Sequence, residues 1–159
     1  DVIQPALSQG YEEIWLVGVS LGGFGALRYA QTHSDQITGV VALAPYLGEP
    51  EQVPGRKTKA GGGQEENEAE KRSGRRLPVA EVWAWLDAMR ERAPKQPKVS
   101  LGYGRNDNFA SQCAHMAEKL PAERVVTLPG RHRWATWRRL WKAMLGKGPS
   151  SPWTADSAA

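Results

Sequence analysis

The sequence predicts an α/β fold: a three-layer sandwich in which a parallel sheet of about four strands carries helices on both faces. Three observations predict it. Short apolar runs rich in β-formers stand apart from one another, each bounded by Gly, Pro or polar residues, as buried parallel strands are. Segments with apolar residues at helical spacing separate them, and that alternation calls for crossover helices. The chain has 159 residues, 40% hydrophobic before its 17 Gly are counted. One domain of that length buries roughly 68–70% of its unfolded surface and needs no disulfide or metal to hold together.

Val2 to Gln9 reads as a short amphipathic helix ending at Gly10, and Ile14 to Gly18 as the first buried strand. Gly22 to His33 follows as a helix with Leu27 and Ala30 on one face. Ile37 to Ala44 is the second strand, closed by Pro45. Glu51 to Arg76 differs in character: it is dense in charge, contains Gly61-Gly62-Gly63 and has almost no large apolar residue. Such a segment cannot offset its ordering entropy by burial, so it reads as a solvated, mobile insertion, with a lid over substrate as the alternative. Val79, Val82, Trp83, Leu86 and Met89 recur at helical spacing, and Pro94 and Pro97 end that helix. Lys98 to Tyr103 is the third strand, Ala110 to Leu120 a helix, and Arg124 to Leu128 the fourth strand, closed by Pro129-Gly130. Trp134 to Leu145 is the last helix, and residues 146–159 form a Gly/Pro/Ser-rich frayed tail.

Composition excludes several function classes. No stretch approaches the ~18–20 apolar residues of a membrane span. The single cysteine, Cys113, excludes an internal disulfide framework and a multi-cysteine metal site. With only His33, His115 and His132, little remains for zinc, and no metal or cofactor is expected. A net charge of +4 and a pI near 9.4 are too mild to imply nucleic acid. The chain starts at Asp1 with no visible signal peptide, so a cytoplasmic location is expected.

The most informative residues are Gly18-Val19-Ser20-Leu21-Gly22-Gly23, a G-x-S-x-G pattern between a predicted strand and a predicted helix. A nucleophile on a sharp strand-to-helix turn is exposed on a strained backbone. Small residues two before and two after it let strand and helix approach. The helix N-terminus favours negative charge developing nearby. Other glycine-loop readings fail: a phosphate-binding loop needs Gly-Lys-Ser/Thr where Phe24 follows Gly23. A dinucleotide fingerprint needs a third Gly where Arg28 stands. A serine nucleophile needs a base, and the base an orienting acid. Asp107 lies just past the third strand and His132 just past the fourth. In a parallel sheet these loops open at the same carboxyl edge as Ser20. Taken singly, Asp107 is equally a turn or cap aspartate and His132 a surface histidine; together, in order and each after a strand, they point to a triad. Cys113 and His115 stand two apart on different helix faces, so Cys113 reads as core and a dyad is not expected. His33 reads as a capping or surface residue.

On these motifs the chain resembles the carboxyl-terminal part of the α/β-hydrolase superfamily over about residues 1–145, with residues 51–76 in the place of the variable cap. Gly18 to Gly23 looks like the nucleophile elbow, with Gly18 and Gly22 as its glycines. Tyr103-Gly104-Arg105-Asn106-Asp107 looks like the acid turn, and Pro129-Gly130-Arg131-His132 with Trp134 like the histidine loop. The resemblance implies Ser20 as nucleophile, His132 as general base then acid, Asp107 as orienting acid and the Leu21 backbone N–H as an oxyanion donor. It implies a small carboxylic ester or thioester as substrate, hydrolysed through an acyl-enzyme.

Two departures from the family's pattern shape the expectation. The family's sheet usually has more strands than the four counted here, and no His-Gly-Gly loop precedes Ser20 to supply a second oxyanion donor. The Ile14–Val17 strand is then an unpaired edge with an apolar face uncovered, which predicts a fragment, or a chain completed by a partner or by self-association. An inactive truncated hydrolase is the corresponding alternative function. Arg131 and Arg133 also flank His132, and solvent is their expected environment. The last helix places Trp134, Trp137, Leu140, Trp141, Met144 and Leu145 on one stripe, away from Arg138, Arg139 and Lys142. That stripe is expected to lie on the sheet; an interaction module seeking a membrane or partner groove through it is the minor alternative.

Overall fold

A computed structural model describes residues 3–48, 77–89 and 96–146. The charged insertion read at 51–76 and the tail beyond Gly146 lie outside the described residues. In chain order the elements are α1 (Ile3–Ser8), β1 (Trp15–Val19), α2 (Leu21–Thr32), β2 (Gly39–Leu43), α3 (Val79–Ala88), β3 (Lys98–Gly104), α4 (Ala110–Ala117), β4 (Val125–Leu128) and α5 (Trp134–Leu145). A 3₁₀ turn, Ala122–Arg124, leads into β4; the sequence pattern had no signal for it.

The strands form one parallel sheet in the order β1-β2-β3-β4. Alternation along the strands divides the core. Val40, Ala42, Val99 and Leu101 face a layer made by α1 to α4, where Phe24, Leu27, Val82, Trp83, Leu86 and Met116 are buried. Val41, Leu43 and Val126 face the opposite side, where Leu140 and Met144 of α5 cover them. Strand β2 is buried at every position, which explains why it reads as a continuous apolar run rather than an alternating one. Burying Leu27 and Leu86 stabilises the fold by roughly 1.5–3 kcal/mol per side chain.

β1 is a sheet edge, and α5 does not reach across it: Val17 is 48% exposed on the α5 side of the sheet. Strand β2 stops one residue short of its predicted end because Ala44 turns into a left-handed conformation (φ 44°), its N–H donating to Gly102 O at 2.7 Å. The expected stripe of α5 needs correcting at both ends. Thr136, Leu140 and Met144 are the buried residues and Trp137 and Trp141 pack beside them, whereas Trp134 is 65% and Leu145 46% exposed. The buried residues recur every four positions, slightly more than one helical turn, so they drift around the helix from the expected stripe, and Thr136 lies against the turn at Gly130.

Candidate active site

Ser20 sits between β1 and α2 with φ 54° and ψ −122°, a conformation that ordinary L-residues avoid. Surrounding hydrogen bonds hold it there. Its N–H donates to Leu43 O at 3.0 Å, and its carbonyl accepts from Gly23, Phe24 and Tyr46 N–H at 2.9, 3.2 and 3.0 Å. Gly18 permits the turn: a Cβ there would overlap the Gly22 carbonyl oxygen and stand 2.5 Å from its carbon. Gly23 backs against Pro45, where a Cβ would lie 2.9 Å from the ring Cβ. Gly22 differs from the sequence expectation, for a Cβ there meets nothing within 4 Å. Close approach thus requires Gly18 and Gly23, not Gly22. Leu21 is the first residue of α2, where backbone N–H groups have no acceptor inside the helix.

The loops after β3 and β4 are joined. Arg105 N–H donates to Leu128 O at 2.9 Å and Asn106 N–H to Gly130 O at 3.0 Å. The backbones touch because Gly104 has no side chain: a Cβ would overlap the Gly130 carbonyl oxygen and stand 2.8 Å from its carbon. Gly130 in turn rests on Thr136, whose Cβ would be 3.0 Å from a Cβ at Gly130.

This joint brings Ser20, His132 and Asp107 together from elements far apart in sequence. His132 Nε2 lies 2.8 Å from Ser20 Oγ, and His132 Nδ1 lies 2.9 Å from both carboxylate oxygens of Asp107. The Asp107 side chain is wholly buried and the His132 side chain 21% exposed. Asp107 Oδ1 also accepts the Phe109 N–H at 2.9 Å. A carboxylate on Nδ1 places the proton there and leaves Nε2 as the acceptor facing the serine hydroxyl.

Sequence reasoning missed the seat of the imidazole. Phe109 and Trp137 each meet the His132 ring edge-to-face with centroids 4.9 Å apart, and Tyr46 packs on Phe109 at 5.5 Å. The signal was present, since Phe109 is two residues past Asp107 and Trp137 one helical turn into α5, but neither position implies a shared ring. Arg131 and Arg133 are exposed, as expected.

The remaining candidates fall outside the site. His33 caps α2, its N–H donating to Tyr29 O at 2.9 Å and its ring stacking on Tyr29 at 4.2 Å. His115 pairs with Glu118 and packs on Trp83. Cys113 is buried, and burial, aided by the Asp107 charge, raises its thiol pKa far above the ordinary value. The thiolate is the reactive form, so the native thiol should resist an aromatic disulfide at pH 8 and react once guanidinium unfolds the chain. Rapid labelling of folded protein would contradict this burial. Among the described residues no cluster of His, Cys, Asp and Glu is arranged to hold a metal ion, and no helix is long and apolar enough to cross a membrane.

Comparison with known proteins places this fold in a family. The profile of the alpha/beta hydrolase fold matches residues 8–107. A hydrolase from Pseudomonas aeruginosa PA01 superposes with a TM-score of 0.54 at 20% identity, over 97% of this chain and 70% of that one. A ferulic acid esterase gives 0.53 at 17% identity, over 88% of this chain and 55% of that one. An alpha/beta hydrolase enzyme from the metagenome of lagoon sediments at Mar Chica, Morocco, gives 0.52 at 18%, over 91% and 66%. The chain therefore spans between about half and about two thirds of the length of these structures. No curated protein sequence matches it. With the profile covering most of the chain and the same fold recurring in these structures, the protein belongs to the alpha/beta hydrolase fold family.

Proposed function

We propose that the chain is a serine hydrolase of carboxylic esters or thioesters, with Ser20 as nucleophile, His132 as general base then acid, and Asp107 as orienting acid. The observation that carries this reading is the continuous hydrogen-bonded path from Ser20 Oγ through both ring nitrogens of His132 to a buried carboxylate. His132 Nε2 takes the hydroxyl proton as Oγ attacks the carbonyl carbon. The Leu21 N–H donates to the oxyanion of the tetrahedral intermediate. Collapse breaks the bond to the leaving alcohol or thiol, which takes the proton from Nε2. Water then gives a proton to Nε2 and attacks the acyl carbon. The second collapse releases the acid and returns the proton to Ser20 Oγ. Asp107 accepts the Nδ1–H throughout and stabilises the imidazolium.

An aryl or alkyl fluorophosphonate tests the reading without knowledge of the substrate. The parent protein should gain one adduct by intact mass, and Ser20→Ala and His132→Ala none. A second reading, a hydrolase core that is inactive without further chain, draws on one observation: Val17 on the open edge strand and Leu21 at the start of α2, both near Ser20, are 48% and 44% exposed. Folded parent that takes no adduct would favour it over the first.

A further inference from the structure

The outward face of α5 is exposed, away from the residues that α5 buries on the sheet. Trp134, Arg138, Lys142 and Leu145 follow one another at i, i+4, i+8 and i+11, all exposed, with Arg139 beside them. Arg131 and Arg133 precede them on the loop that carries His132 and are exposed too. From Val125 to Gly146 the chain contains no Asp or Glu, and none of these basic side chains forms an ion pair among the described residues. Arg139 donates only to Pro129 O. Among the described residues, the carboxylates paired with Arg, Lys or His outside the triad site, Glu81, Asp87 and Glu118, lie on or next to α3 and α4, across the sheet. The α5 side is therefore a cationic surface with a largely exposed tryptophan at one end and a leucine at the other.

We infer that this face docks the protein on an anionic lipid surface. Its charge complements acidic headgroups, and each basic side chain near such a surface strengthens binding about fivefold. Trp134 and Leu145 decide between a lipid surface and an acidic polypeptide: an indole and an isobutyl group bracketing a cationic stripe suit the boundary between headgroups and acyl chains. This is not the apolar stripe of α5, which is spent on the sheet, but its opposite face. The surface is continuous with the catalytic residues. The Trp134 ring lies 5.9 Å from that of Trp137, which lies 4.9 Å from the His132 imidazole. Docking stands on the α5 surface alone; that it delivers lipid esters to Ser20 rests on the proposed hydrolase reading.

Co-sedimentation of the full chain with vesicles tests the inference. One set is phosphatidylcholine alone, the other phosphatidylcholine with phosphatidylglycerol, each at low and high salt. Binding to the anionic set should be at least about tenfold tighter and should vanish at high salt. R138E/K142E should lose at least about tenfold, and W134S should weaken binding while leaving its preference for anionic vesicles. All these positions are exposed, and circular dichroism checks that the variants fold. Equal binding to both vesicle sets, or unchanged binding by R138E/K142E, would overturn the proposal. So would displacement by poly-glutamate with W134S indistinguishable from parent, which would point to an acidic polypeptide. Ser20→Ala should bind vesicles like the parent. Fluorophosphonate labelling without vesicle binding would sink the docking inference alone; vesicle binding without labelling would sink the hydrolase reading alone.

Discussion

Ser20→Ala and His132→Ala should each lower ester turnover by a factor on the order of 10⁴–10⁶, and the double variant should be no slower than the worse single one. Non-additivity follows from the chemistry. With Ser20 Oγ gone, the base at Nε2 has no proton to take; with the ring gone, the hydroxyl stays protonated at neutral pH. Asp107→Asn should cost about 10⁴, because an amide on Nδ1 no longer selects the tautomer in which Nε2 accepts. The check is steady-state hydrolysis of an activated aryl ester by the parent, the two singles and the double. Equal rates for parent and Ser20→Ala would assign any observed hydrolysis to another group. Losses that multiply in the double variant would mean that Ser20 and His132 do not act as a unit. Ser20→Ala should leave the thermal midpoint nearly unchanged, whereas His132→Ala empties the seat between Phe109 and Trp137, takes the ring partner from the buried Asp107 carboxylate, and should lower it.

The second large effect is structural. Gly18→Ala should destabilise the fold by several kcal/mol, at or beyond the upper end of the ~1–3 kcal/mol usual for overpacking. The new methyl would meet three backbone atoms of Gly22 and Gly23 rather than a side chain that can rotate away. Relief requires β1 and α2 to separate, which also frees Ser20 from its strained conformation. Gly22→Ala is the control. Its Cβ points into open space, its φ is ordinary, and an alanine in a helical turn lowers the entropy of the unfolded chain, so stability should hold or rise by about 0.4–1 kcal/mol. Urea denaturation of both variants measures the difference. Comparable losses in both would refute the steric account of the elbow.

Legibility in the sequence followed the physics. The strands were readable because sheet strands buried on both faces are apolar without interruption, as β2 is throughout. Ser20, Asp107 and His132 were readable because each falls immediately past such a run, and a parallel sheet sends all those ends to one edge. The packing that joins them was not. Nothing in the linear pattern says that Gly104 and Gly130 must touch, since each contact partner lies on another loop. The aromatic seat of His132 was hidden for the same reason: Phe109 and Trp137 are ordinary apolar residues until the fold closes on the ring. The stripe on α5 was misplaced at Trp134 and Leu145 because periodicity ranks residues by hydrophobicity, whereas burial also depends on where the neighbouring surface ends.

The joint between the loops after β3 and β4 ties two of the three proposed triad residues to each other. Asp107 and His132 ride on backbones fastened to each other by Arg105 and Asn106. Ser20 is fastened instead to β2 and the turn after it, through Leu43 and Tyr46. Of the two contacts in the proposed triad, the 2.8 Å one between Nε2 and Oγ joins loops fastened to different neighbours, whereas the carboxylate–imidazole contact joins loops already tied to each other. A small local opening would part Ser20 from His132 before it parted His132 from Asp107. Warming should therefore loosen the Ser20–His132 contact before the contact between His132 and Asp107.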